Sequence, residues 1–88
     1  MTVQAIDGQA FQAWVSRPGV VVVEFGAEWC PPCKALLPLF EELAAFYAGA
    51  AAFGKVDCDA SPELASAFGV MSMPTVIVFK DEIGRAHV

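Results

Sequence analysis

Apolar positions along the chain fall into short blocks whose spacing alternates between the periods of strand and helix. Val3–Ile6 reads as a short strand, and Asp7 stands where it can cap a helix whose Phe11, Trp14 and Val15 recur at i, i+3 and i+4. Arg17-Pro18-Gly19 breaks that helix. Val20–Gly26 is almost continuously apolar, the pattern of a central strand covered on both faces. A longer helix is predicted to open at Cys30-Pro31, because proline is favoured at the first helical position, where no amide partner is lost. It runs to about Tyr47, and Leu36, Leu37, Leu39, Phe40, Leu43 and Phe46 leave it little polar face. Pro38 inside it is expected to kink it. Ala51–Asp57 reads as a strand. Ser61-Pro62-Glu63 supplies a cap, a first-turn proline and an acid at the positive end of a helix that stops at Gly69. Thr75–Phe79 is a β-branched and aromatic strand. A turn at Asp81-Glu82 leads to a last short strand, Ile83–Val88.

The order is βαβαβαββ. Helices inserted between strands imply an α/β fold with parallel pairs in a mixed sheet and helices on its faces. The last two strands, joined by a turn too short for a crossover, must be antiparallel. The 88 residues form one domain, 1–88, with a thin stability margin that 57% hydrophobic and 17% charged residues offset with a rich core. No apolar run approaches the ~20 residues needed to span a bilayer, so no membrane partner is expected. The net charge of -5 argues against nucleic acid, whose phosphates need a basic surface. Residues 1–7 carry neither a basic leader nor a long apolar stretch, which makes the cytoplasm the expected location.

Three cysteines without an export signal do not suggest a stapled secreted scaffold. Two of them form Cys30-Pro31-Pro32-Cys33 on the first turn of the long helix. There the amides and the dipole stabilise a thiolate, which is the reactive species. Cys30, at the helix end, is expected to be the more exposed thiol of lower pKa and to attack a substrate disulfide. Cys33, one turn in, resolves the mixed disulfide. Half a zinc site is the competing reading, but no second pair exists and Cys58 with His87 completes it poorly, so no metal is expected. Inert core cysteines are a further alternative. Cys58 reads as a small hydrophobe rather than a redox group, Met71 as core, and His87 is assigned no role.

Ala27-Glu28-Trp29-Cys30-Pro31-Pro32-Cys33-Lys34 resembles the thioredoxin active site, Trp-Cys-Gly-Pro-Cys-Lys. Pro38, five residues after Cys33, is similar to that family's helix-kinking proline, and Met73-Pro74-Thr75 to its cis-proline segment, which docks substrate backbone beside the redox pair. Val23-Glu24-Phe25 is similar to the strand that carries its buried carboxylate, and Lys55 falls where the family has that carboxylate's lysine partner. The resemblance covers nearly the whole chain. It implies a thioredoxin-like fold and a catalytic set of Cys30, Cys33, Glu24 and Lys55. Trp29, Pro31, Pro32, Met73 and Pro74 would line the substrate face. Glu24 interrupts an apolar run in a central strand, so it should be buried, and the raised pKa that burial brings suits a proton acceptor for Cys33. The alternative is that its longer side chain reaches Lys55 or solvent and is merely satisfied.

Two departures stand out. Pro31 replaces the usual glycine and removes an amide that would face the thiolate. The family also continues past Val88 with a glycine-bearing loop and a final helix, so a C-terminally truncated form of the fold is expected. Its uncovered apolar face would favour self-association, most simply as a homodimer. The implied function is dithiol–disulfide exchange with disulfide-containing protein substrates, as a reductant recharged by a thioredoxin reductase, with no bound cofactor. The alternatives are an oxidase or isomerase of the same chemistry, and a non-catalytic interaction module.

Overall fold

The computed structural model describes residues 3–80 and 86–87. Its elements are β1 (Val3–Ala5), α1 (Phe11–Val15), β2 (Val20–Gly26), α2 (Pro31–Phe46), β3 (Ala51–Asp57), α3 (Pro62–Ala67), β4 (Thr75–Lys80) and β5 (Ala86–His87), in the expected order. The strands form one five-stranded sheet, β1-β3-β2-β4-β5. β3 pairs parallel with β1 and β2, while β4 runs antiparallel to β2 and β5 antiparallel to β4. The apolar run of β2 therefore does occupy the middle of the sheet. The expected turn at 81–82, and the rest of the last strand beyond Ala86–His87, lie outside the described residues.

Strand periodicity sorts β2 onto two faces. Val21, Val23 and Phe25 enter the larger core with Ile6, Phe11, Trp14, Val15, Val56, Ile77 and Phe79, and Leu64 of α3 and Phe68 at its C-cap pack against it. α1 and α3 thus cover one face. The ring of Phe11 lies 5.3 Å from Phe68, 5.9 Å from Phe79 and 6.2 Å from Phe25, within the range where aromatic pairs add to simple burial. On the other face Val22 packs against a cluster of Val3, Phe40, Ala44 and Phe53, which seats α2. Cys33, Phe40 and Ala44 are the buried residues of α2; Leu39, Leu43 and Phe46 are exposed on it.

Two helix ends show how local chemistry sets boundaries. Ser61 precedes Pro62 at the start of α3, with Glu63 in the first turn, although the Ser61 side chain makes no capping bond. At the other end Gly69 adopts φ +65, Gly69 N–H donates to Ser66 O at 3.2 Å and Val70 N–H to Ala65 O at 2.9 Å. That is the Schellman closure a C′ glycine permits. α1 departs from expectation. Its N-cap is Ala10, and the Asp7 carboxylate instead accepts the Ala10 N–H at 2.8 Å, closing a turn ahead of the helix.

Candidate active site

β2 delivers the chain to a corner at Ala27, where Cys30 N–H donates to Ala27 O at 3.2 Å. Cys30 is the N-cap of α2, with extended backbone (φ -91, ψ 109). Pro31 and Pro32 follow and carry no N–H, so Cys33 provides the first helical amide that can serve a cap. That amide donates to Cys30 Sγ at 3.4 Å. The sulfur occupies the place of a capping oxygen, at the positive end of a helix of 16 residues.

A loop distant in sequence closes over this turn. The Met73–Pro74 peptide is cis, as the resemblance implied. The Cys30 thiol donates to Met73 O at 3.8 Å, and the Met73 side chain packs against Ala27, Cys30 and Cys33. This contact corrects one expectation: Cys30 is not the more exposed cysteine, since it is 4% exposed against 7% for Cys33. Both are free thiols. Burial pushes the Cys33 thiol up to about 11; its hydrogen bond with Cys30 and the nearby negative charge of Glu24 act in the same direction, and a backbone hydrogen bond at Ala27 opposes them.

Glu24 is buried on β2, in register with Lys55 of β3 and Val76 of β4. Among the described residues its Oε2 has no hydrogen-bond partner. Burial holds its carboxyl above the ordinary carboxylate range, and the charge of Lys55 pulls it part of the way back. A cavity reaches this carboxyl from the surface between the strand ends and α2; Glu24, Cys33, Lys34, Lys55, Asp57 and Ser61 are among its walls.

Of the remaining predicted residues, Pro31 and Pro32 are exposed beside the thiols and Met73 and Pro74 are half-buried. Trp29 is 62% exposed, and its ring N–H donates to the Asp59 carboxylate. The Asp59 N–H in turn donates to Asp57 Oδ1 at 2.9 Å. Sequence reasoning missed Asp59, which an acid-rich run after β3 could have flagged. Cys58 is half-buried against the larger core; burial, then its acidic neighbours, raise its thiol pKa. Met71, expected in the core, is 96% exposed. Among the described residues no three metal-ligating side chains gather, and no helix is long and apolar enough to cross a membrane.

A mixed sheet that delivers two cysteines to the first turn of a helix, under a loop bent by a cis-proline, is the thioredoxin-like form of α/β architecture. The sequence model of the Thioredoxin family matches residues 2–88. Thioredoxins of Staphylococcus aureus strains Mu50 / ATCC 700699, MW2 and N315 are each 54% identical to this chain over 63 residues, which is 72% of this chain and 61% of the relative. The chain belongs to the thioredoxin family. It spans 61% of the length of these curated relatives in the matched region.

Proposed function

We propose that this chain is a protein thiol–disulfide oxidoreductase acting as a reductant through Cys30 and Cys33. The observation that carries the reading is the placement of Cys30 Sγ as the cap of α2, where it accepts the Cys33 amide. The same helix end that satisfies a capping sulfur stabilises a thiolate. In the proposed cycle the Cys30 thiolate attacks one sulfur of a substrate disulfide and expels the other as a thiolate. Cys33 then attacks Cys30 as its proton passes to Glu24, and the second substrate sulfur leaves as a thiolate. Two electrons pass from the dithiol to the substrate, and Cys30–Cys33 is left as a disulfide for a thioredoxin reductase to recharge in the cytoplasm. Lys55 tunes Glu24 electrostatically. Trp29, Pro31, Pro32, Met73 and Pro74 form the face against which substrate backbone docks.

The reading is tested by insulin-disulfide reduction with a dithiol donor, together with trapping. Cys33→Ser is expected to accumulate mixed disulfides with substrate proteins and Cys30→Ser to accumulate none. The reverse pattern would exchange the two roles, and failure of the unaltered protein to reduce insulin would favour a non-catalytic module. The exposed Leu39, Leu43 and Phe46 on α2 support self-association as part of the proposal, to be read by sedimentation at micromolar concentration.

A further inference from the structure

Glu24 and Gly26 are two residues apart on β2, so both face α2. A Cβ placed on Gly26 would lie 2.9 Å from Cys33 Sγ and 3.2 Å from Cys33 Cβ, and closer still to Glu24 Oε2. Real Cβ atoms essentially never come within 3.0 Å of another heavy atom, so the carboxylate oxygen and the thiol sulfur would both have to shift. The volume that any other residue would fill here is bordered by both the carboxylate and the resolving thiol. The glycine is not explained by its backbone: φ lies outside the left-handed region at this position, whereas it lies within it at Gly19, Gly49 and Gly69. What Gly26 supplies is space.

We propose that Gly26 is a positioning residue for disulfide exchange: its bare Cα leaves room for the long side chain of Glu24 to bring Oε2 against Cys33 Sγ. The two positions then work as a pair. A glutamate reaches the thiol only above a glycine, and a shorter aspartate at 24 tolerates a methyl at 26. This inference rests on the reading of Glu24 as proton acceptor for Cys33, and it assigns Gly26 no contact with substrate.

Stopped-flow mixing of the reduced protein with an excess of a small aromatic disulfide tests it. The first equivalent of coloured thiolate reports attack by Cys30 and the second reports resolution by Cys33. Across pH 6–8, Gly26→Ala is expected to slow the second phase on the order of tenfold to a hundredfold, with the first phase held within about twofold. Adding Glu24→Asp to Gly26→Ala is expected to restore most of the loss, a rescue that damaged packing alone would not show. A second phase that stays at the original rate in Gly26→Ala, or a loss that Glu24→Asp does not relieve, overturns the proposal. If Gly26→Ala does not fold, Glu24→Asp is compared with the double variant. The added methyl is expected to leave the second phase as fast or faster, and a further tenfold slowing overturns the proposal. Glu24→Gln separates the two levels. A slow second phase in Glu24→Gln beside a normal one in Gly26→Ala removes the role of Gly26 alone, while a normal second phase in Glu24→Gln removes the proton acceptor and the positioning role together.

Discussion

The most exacting consequence of the site concerns the resolving thiol. The Cys33 thiol is pushed up to about 11 from an ordinary 9.0, with burial the largest cause. At pH 7 that leaves roughly one molecule in 10,000 as thiolate, against one in 100 for an ordinary cysteine. Part of the loss returns, because a more basic thiolate is a better nucleophile. With a Brønsted slope of about 0.4–0.5, two units of basicity restore a factor of roughly 6–10. Net reactivity at neutral pH is then about ten to sixteen times below that of an unperturbed thiol, before any help from a base. Labelling cysteine with 13C at Cβ and titrating the reduced protein by NMR measures this directly. At pH 9.5 the Cys33 carbon should report about 3% ionisation, where a thiol at 9.0 would report about 76%. Glu24→Gln should lower the inflection without bringing it to 9.0, since the carboxylate is the smallest of the raising influences and burial remains. A Cys33 carbon more than half ionised at pH 9.5 in the unaltered protein would refute the account of the site. Collapse to 9.0 in Glu24→Gln would mean that charge, not burial, sets the value.

Other outcomes follow from the packing and from Glu24 itself. Phe25→Ala removes a fully buried ring between Phe11 and Phe68, and should cost about 3–5 kcal/mol in urea unfolding; a loss below about 1 kcal/mol would contradict the packing. A domain of this size holds only about 4–13 kcal/mol, so that one change removes roughly a quarter or more of its stability. Gly54→Ala would set a methyl 2.7 Å from Trp14 Cη2 and closer to Ile6 Cδ1, so overpacking of about 1–3 kcal/mol is expected together with a change in tryptophan emission; unaltered stability and emission would place Trp14 elsewhere. The folded pKa of Glu24 is raised by burial above its unfolded 4.5, so the folded state binds that proton more tightly. Its contribution to stability is present below pH 4.5 and is lost as pH rises through the folded value. The stability of Glu24→Gln relative to the unaltered protein should therefore climb over that interval and then level off; a difference that is flat from pH 4 to 8 would show that Glu24 is solvated.

Much of the fold was legible because it is written in local patterns. Val20–Gly26 and Ala51–Asp57 carry strand signals strong enough to give their ends, and Cys30-Pro31 and Gly69 mark helix limits by the two residues best suited to those places. What the pattern could not give is set by contacts distant in sequence. Asp7 has the right chemistry for a cap, but an intervening turn takes its carboxylate and leaves Ala10 to start the helix. Cys30 stands at a helix end, which argues for exposure. Yet the Met73 carbonyl, 43 residues further on, closes over it, and no local rule reports that contact. Met71 is apolar yet points to solvent, because the segment between Gly69 and the cis-proline has no helix or strand to turn it inward. Gly26 was legible only as the end of a strand. A residue that acts by leaving space has no side chain to announce it.

The two perturbed groups also constrain how a proton leaves Cys33 in the proposed cycle. Burial raises the thiol and the carboxyl together, because both side chains lie between β2 and α2, packed away from bulk water. Raising the acceptor narrows the gap in proton affinity, and raising the donor widens it again. Lys55, by drawing the carboxyl back down, widens it further. Full transfer from thiol to carboxylate before attack is therefore uphill, and a resting thiolate–carboxylic acid pair is not the state that reacts. The carboxylate helps only while negative charge is already moving from Cys33 into the breaking disulfide. In that transition state Cys33 no longer holds a full charge, and the departing substrate sulfur carries part of it toward solvent. A base that acts at this moment need not match the thiol in strength. It must be at the sulfur when the bond forms, and for that, geometry matters more than pKa. This is why a single methyl at Gly26, which changes no charge, is expected to slow resolution as much as altering the acid itself.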